Sequence, residues 1–344
     1  MNSTDLPRLT VRSPADLIAA VPYLLGFHPT DSVVVVALAG SRIVFAARTD
    51  LPGEGDPRES AEHIAAVTAR QGADSATAIG YGPAVRVTPA VDAVRGALAD
   101  AGLTVLDALR VTGDRWWSYV CQEPECCPPE GTPYDPKASA VPAAAVFAGQ
   151  VALPDRAALA AAVAPVEGPE MRRAAERADR RLADLLAEAP PADLLGGRAL
   201  RTAGVAALRA TRRRHRDGEP LTDDEVAWLC LLLTHLPVRD HAWERTDGRD
   251  EDVAFWTEMM RRTEPDLSAA PGALLAFAAW RAGQGALAAV ALERVLAEHP
   301  DYSLGLLLDD LLRRGVPPSR LDGWPKSPKA LRRGRRRSGR RRPR

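Results

Sequence analysis

SPADLIAAVPYLLGFHPTDSVVVVALAGSRIVFAAR, residues 13–48, carries a helix, a charged loop and two strands in one run, and that order decides the fold class. Ser13 followed by Pro14 suits an N-cap and a first helical turn. The serine oxygen can accept an amide there, and proline's missing N–H costs nothing. Ala15, Leu17, Ile18, Val21, Leu24 and Leu25 then recur at helical spacing, and Gly26 supplies a stop. Pro22 is expected to kink this helix or end it early, because it removes an amide donor. Val33–Leu38 is a β-branched run of the kind that fills a buried strand. Ala39–Gly40–Ser41–Arg42 turns the chain into a second strand, Ile43–Arg48, so the two form a hairpin. A helix followed at once by a hairpin argues for a mixed sheet, not an all-parallel one.

Outward from this run the same alternation continues. Residues 58–71 read as a helix with Ile64, Ala65 and Thr68 inward, 75–81 as a strand, and 86–101 as a helix stopped by Gly102. Residues 104–111 and 115–120 read as strands joined through Thr112–Gly113–Asp114. The segment VPAAAVFAGQVALPDRAALAAAVAP, residues 141–165, is expected to add one strand and one helix.

From about Pro169 the strand signals stop. Helices are expected at 169–187, 194–214, 222–236, 250–263, 270–282, 285–299 and 302–314. Thr222 and Glu225 form a capping box ahead of an apolar run, and Pro237, Pro265, Pro300 and Pro317 act as breakers. Residues 272–300 resemble one tetratricopeptide-type helical hairpin, with Leu275, Gly283, Ala288 and Pro300 at consensus spacing. A solenoid needs about three repeats to bury its core, so a single copy reads as a helical pair docked within a bundle. The fold class is thus α/β (α+β): a mixed sheet with flanking helices over residues 10–165, a mainly helical domain over 166–322, and a disordered Arg-rich tail over 323–344.

Charge is divided unevenly. Residues 326–344 hold 11 of the 45 Lys and Arg and no acid, leaving 34 basic against 45 acidic residues, a net of −11, in the rest. An acidic body is a poor phosphate-binding surface, so contact with nucleic acid or an acidic partner falls to residues 326–344. The opening MNSTDLPRLTVRSP lacks a basic start followed by an apolar core, so no secretory leader is expected. The apolar run ALLAFAAW ends at Arg281, well short of the ~20 residues of a membrane helix. A cytoplasmic setting follows, where thiols stay reduced.

Two constellations hold the chemistry. GFHPTDS places His28, Thr30, Asp31 and Ser32 between a helix end and a buried strand, where α/β folds gather their sites. His28 with Asp31 reads as an acid–base pair and Ser32 as a nucleophile or phosphate contact; a proline turn with Asp and Ser satisfying backbone groups is the plainer alternative. The second is RWWSYVCQEPECCPPEG, residues 115–131. Strand alternation puts Arg115, Trp117 and Tyr119 on one face, a ladder able to stack a base or sugar or simply to pack across strands. Cys121, Cys126 and Cys127 then follow in C-x4-C-C spacing. This is not the repeated C-x2-C of a zinc knuckle, and adjacent cysteines are expected to diverge from one ion. Three readings stay open: a proline-stiffened structural loop, a zinc site completed by a remote His28, and a reactive thiol beside Arg115. Cys230, in WLCLLL, reads as core. His241, in VRDHAWE, has Asp and Arg beside it, but neighbouring residues on a helix do not face each other, so a solvated turn is expected. Nucleophile-elbow, P-loop and dinucleotide fingerprints are missing, which argues against the familiar hydrolase, NTPase and dehydrogenase classes.

The stretches SPADLIAAVPYLLGFHPTDSVVVV and GDRWWSYVCQEPECCPPEGTPY together resemble an actinobacterial family that is a domain of unknown function. AWRAGQGALAAVALERVLAEHPDYSLGLLLDDLLRRG looks like its helical end, so the resemblance spans most of residues 10–320. It implies a bacterial, cytoplasmic setting and a single α/β-plus-helical architecture, and brings no catalytic residues. The expected function is a non-enzymatic module that binds a ligand or partner around His28, Asp31, Ser32 and the 115–127 loop. The alternatives are an enzyme using a thiolate or thiolate-bound metal, and a nucleic-acid-associated protein acting through the tail.

Overall fold

The computed structural model describes residues 11–53, 55–166, 168–195 and 197–321. The expected Arg-rich tail and its partners therefore lie outside the described residues. The chain divides into two compact units. One runs to Ala162 and takes back residues 313–317; the other runs from Val163 to Leu312 and resumes at Pro318.

The first unit opens with α1 (Pro14–Leu25), the hairpin β1 (Ser32–Ala39) and β2 (Arg42–Asp50), then α2 (Arg58–Ala69). It continues with β3 (Ser75–Tyr81), α3 (Ala84–Asp100), β4 (Thr104–Thr112), β5 (Arg115–Ser118) and the two-residue β6 (Thr132–Pro133). The sheet order is β2-β1-β3-β4-β5-β6. Only β3 and β4 run parallel, joined by α3; every other pair is antiparallel. The mixed sheet read from the opening hairpin is the one the chain builds. Val33 and Val35 of β1, Ala76 and Ala78 of β3, and Ala108 of β4 meet Ile64 of α2 and Val87, Val91 and Val94 of α3 in one buried cluster. Each buried valine or isoleucine of this cluster stabilises the fold by roughly 1.5–3 kcal/mol.

Two expectations need correction here. α1 does not stop at Pro22; it continues to Leu25 and closes on Gly26 in the left-handed region. An internal proline costs about 3 kcal/mol. The burial of Ile18, Ala19, Val21 and Leu25 on the same helix outweighs it. The N-cap is as expected, with the Asp16 N–H donating to Ser13 Oγ at 3.2 Å. Second, residues 141–165 form no strand. They form α4 (Ala140–Phe147) and α5 (Arg156–Ala162), and the extended stretch between contributes a single bridge, Leu153 to Phe27. Ser139 caps α4 by accepting the Val141 N–H at 3.2 Å, and its alanines favour helix over strand.

The second unit is helical: α6 (Pro169–Glu188), α7 (Pro191–Leu195), α8 (Arg198–Arg216), α9 (Asp223–Leu233), α10 (Leu236–Trp243) and α11 (Asp250–Arg262). The docked helical pair follows as α12 (Ala269–Arg281) and α13 (Gly285–Glu298), and α14 (Ser303–Arg313) leads out. α12 is buried at every position from Ala270 to Trp280, so it is the central helix. Some buried polar groups inside this unit pair with one another. Asp252, fully buried, forms an ion pair with Arg212 and accepts the Asp247 N–H. Trp256 donates its indole N–H to Thr246 Oγ1 at 3.0 Å. Cys230 is fully buried, as expected, and burial pushes its thiol up to about 12.

Candidate functional site

The parallel pair fixes where a site can form. β3 and β4 end side by side at Tyr81 and Thr112, and in α/β sheets ligands lie beyond the carboxyl ends of parallel strands. β3 leads through Gly82 and Pro83 into α3. Gly82 has φ +136°, a conformation open in practice only to glycine, which lets the chain turn sharply from strand to helix. The turn is held by Gly82 N–H to the Val111 carbonyl at 3.0 Å and by Thr112 Oγ1 to the Gly82 carbonyl at 2.6 Å.

A cleft of ≈ 680 Å³ opens at this point. Ile18, Pro22 and Tyr23 of α1 form one side, His28, Thr30 and Asp31 the loop before β1, and Tyr81 and Thr112 the strand ends; Tyr134 and Asp135 close it. The His28–Asp31 loop is tied down by the His28 N–H to the Leu153 carbonyl at 2.9 Å and by the Leu51 N–H to the Asp31 carbonyl at 2.9 Å. Asp31 has φ +42°, the one non-glycine positive φ among the described residues. Such a residue stores strain where the surrounding structure holds it.

The deep wall carries the unusual chemistry. Tyr81 is buried and its hydroxyl has no hydrogen-bond partner. Burial, with Tyr134 nearby adding to it, holds this phenol well above its ordinary range, so it stays protonated. Ser32 stands directly across the β1–β3 ladder from Tyr81 and shares its face of the sheet. It is fully buried, and its Oγ also lacks a partner. Two residues with unsatisfied hydroxyls thus stand opposite each other on the ladder at the strand ends, and of the two Tyr81 lines the cleft.

The expected residues separate into three groups. His28 and Asp31 do line the cleft, but the Asp31 carboxylate goes to Arg86 of α3 at 2.6 Å, so the acid–base pair with His28 is not formed. Ser32 is too deeply buried to serve as an exposed nucleophile. Arg115, Trp117 and Tyr119 are engaged within the fold. Arg115 donates to the Gly131 carbonyl at 2.7 Å, and the Trp117 indole N–H to the Pro129 carbonyl at 3.0 Å. Arg110 stacks over the Trp117 ring at 3.7 Å, and Tyr119 Oη meets Thr88 Oγ1 at 2.7 Å. The Arg–Trp–Tyr face anchors the following loop to the sheet.

That loop contradicts the expectation that Cys126 and Cys127 diverge. The sulfurs of Cys121, Cys126 and Cys127 all lie within 4.8 Å of one another, and among the described residues no other His, Cys, Asp or Glu joins them, His28 included. The physical reason is the turn: the Cys126 and Cys127 N–H groups both donate to the Glu123 carbonyl, at 3.1 and 2.7 Å, folding the chain back onto Cys121. Arg115 does not set the thiol chemistry as expected. The Glu123 N–H lowers Cys121, with Cys127 next, while burial and then Cys121 push Cys127 up to about 12.

A family model described as a domain of unknown function (DUF4192) matches residues 14–319. The chain belongs to that family. Neither the curated proteins nor the solved structures hold a match to it. No helix among the described residues is long and apolar enough to cross a membrane. In this DUF4192 chain, sequence reasoning passed over Tyr81, Thr112, Tyr134 and Arg86. The available signal was Gly80–Tyr81–Gly82–Pro83 between a strand and a helix. Gly80 is the close-packing position, where a Cβ would meet Val87 Cγ1 at 2.2 Å.

Proposed function

We propose that this chain is a non-enzymatic, cytoplasmic binding module whose ligand is a small, ring-bearing molecule held at the carboxyl ends of β3 and β4. The observation that carries the reading is the buried, unpartnered hydroxyl of Tyr81, a residue that lines the cleft. A buried hydroxyl without a bond costs roughly 1–3 kcal/mol, and a ligand acceptor that meets the Tyr81 hydroxyl recovers that cost. Tyr23, Tyr81, Tyr134, Pro22 and Pro29 make the cleft suited to a flat ring, and Asp31 and His28 supply polar groups at its mouth. The four unpaired cysteines suit a reducing compartment.

Tyr81→Phe tests the observation itself. In urea unfolding without added ligand, the variant is expected to match the wild type or exceed it by up to ~1 kcal/mol, because only an unsatisfied group is removed. A loss of about 1 kcal/mol or more would mean that the hydroxyl is bonded within the fold, and the reading fails.

A further inference from the structure

We infer that Cys121, Cys126 and Cys127 form a three-thiolate site for one soft divalent metal ion, zinc first, with a fourth position open to solvent. This site is separate from the reading of the cleft and needs none of its residues.

The distances suit a metal. Zinc holds thiolates at about 2.3 Å, which puts tetrahedral sulfurs about 3.8 Å apart. Here the Cys126 and Cys127 sulfurs are 3.9 Å apart, and all three lie within 4.8 Å of one another. They are not disulfides, which would require about 2.05 Å. Three sulfurs already at this spacing need only small side-chain rotations to close on one ion.

The surroundings hold the sulfurs there. Ser118 Oγ accepts the N–H groups of Val120 and Cys121, at 3.1 and 3.0 Å, and donates to Asp107 at 2.7 Å, fixing the first leg of the loop. Glu123 gathers the amides of Cys126 and Cys127 on its carbonyl. The second leg is pinned by Trp117 to Pro129 and by Arg115 to Gly131. Prolines 124, 128 and 129 stiffen the span further.

The open position follows from the count. No fourth His, Cys, Asp or Glu among the described residues joins the cluster, and Cys126 is exposed. Closed structural zinc sites use four protein ligands; three protein ligands plus water is the open arrangement. On binding, the thiol protons leave to solvent as each sulfur becomes a thiolate, so uptake releases protons and strengthens with pH.

The test uses the full chain purified without a polyhistidine tag, stripped with chelator and titrated with zinc alone against a chromophoric competitor. One ion per chain is expected. Cobalt in place of zinc should give thiolate charge-transfer absorption with the visible bands of a tetrahedral ion. Cys121→Ser, Cys126→Ser and Cys127→Ser should each weaken binding about 100-fold or more, beyond the ~10–100-fold that outer partners command. Cys230→Ser should leave affinity unchanged. Cys126 is exposed, so Cys126→Ser keeps the test valid if another variant fails to fold. Uptake below one ion per chain, or binding that survives Cys126→Ser, overturns the site.

Discussion

Gly131 shows how one residue holds the cysteine loop in place. It has φ +86°, and a Cβ there would sit 2.4 Å from the Trp117 indole. Gly131→Ala should therefore cost roughly 1–3 kcal/mol, from backbone strain plus the displaced ring. Urea unfolding followed by tryptophan fluorescence measures it; an unchanged midpoint would mean that the indole does not press on this turn. Residue detail of this kind was only partly legible beforehand. The alternation that puts Arg115, Trp117 and Tyr119 on one face could be read from the strand. Their engagement by the loop's own carbonyls could not, because it depends on a turn more than ten residues downstream. The convergence of adjacent Cys126 and Cys127 was hidden for a related reason. Divergence holds for an extended chain, and the Glu123 turn removes that condition. Tyr81 looked like an ordinary strand residue; only the ladder, by setting it opposite Ser32, reveals two hydroxyls without partners.

At the scale of elements, the cap signals at Ser13 and Thr222 located their helices. Thr222 and Glu225 form the reciprocal box expected at the start of α9, with Glu225 N–H to Thr222 Oγ1 at 3.2 Å and Thr222 N–H to Glu225 at 2.8 Å. Thr222→Ala should cost about 1 kcal/mol, read as a lowered urea midpoint, and no change would mean that the box is not formed in solution. Pro237 illustrates the opposite case. It was read as a breaker, yet it lies in the first turn of α10, where proline's missing amide is no loss. The helix it opens carries His241, which was expected on a solvated turn and is instead half-buried in the last turn of α10. Burial first, and then Arg245, Arg201 and Arg209, lower its imidazole to about 4. His241 therefore stays neutral in the fold while the unfolded chain takes up a proton below its ordinary 6.5. Its contribution to stability is complete above that value and lost progressively as pH falls toward 4. His241→Gln should narrow the stability difference between pH 7 and pH 5; an equal difference in both proteins would contradict the neutral form.

For the whole molecule, each unit accounts for its own core. The sheet unit stands on aliphatic packing between β1, β3 and β4 and the α2–α3 layer. The helical unit is built around the fully buried α12. The change from strands to helices near Pro169 could be read from periodicity alone. The return of residues 313–317 to the first unit could not. It rests on hydrogen bonds from Arg70 and Gln71 to the carbonyls of Arg314 and Gly315, which no sequence pattern announces. The central claim, that the strand-end cleft takes a ring-bearing ligand on Tyr81, is met most directly by nitrogen-15 NMR of the full chain. Nucleosides and aromatic amino acids serve as the added probes. At least one class should shift the Tyr81, Gly82 and Thr112 amides saturably, with affinity about 5–10-fold weaker in Tyr81→Phe, the loss of one hydrogen bond. No saturable shift from any probe, or equal affinity in Tyr81→Phe, would contradict it.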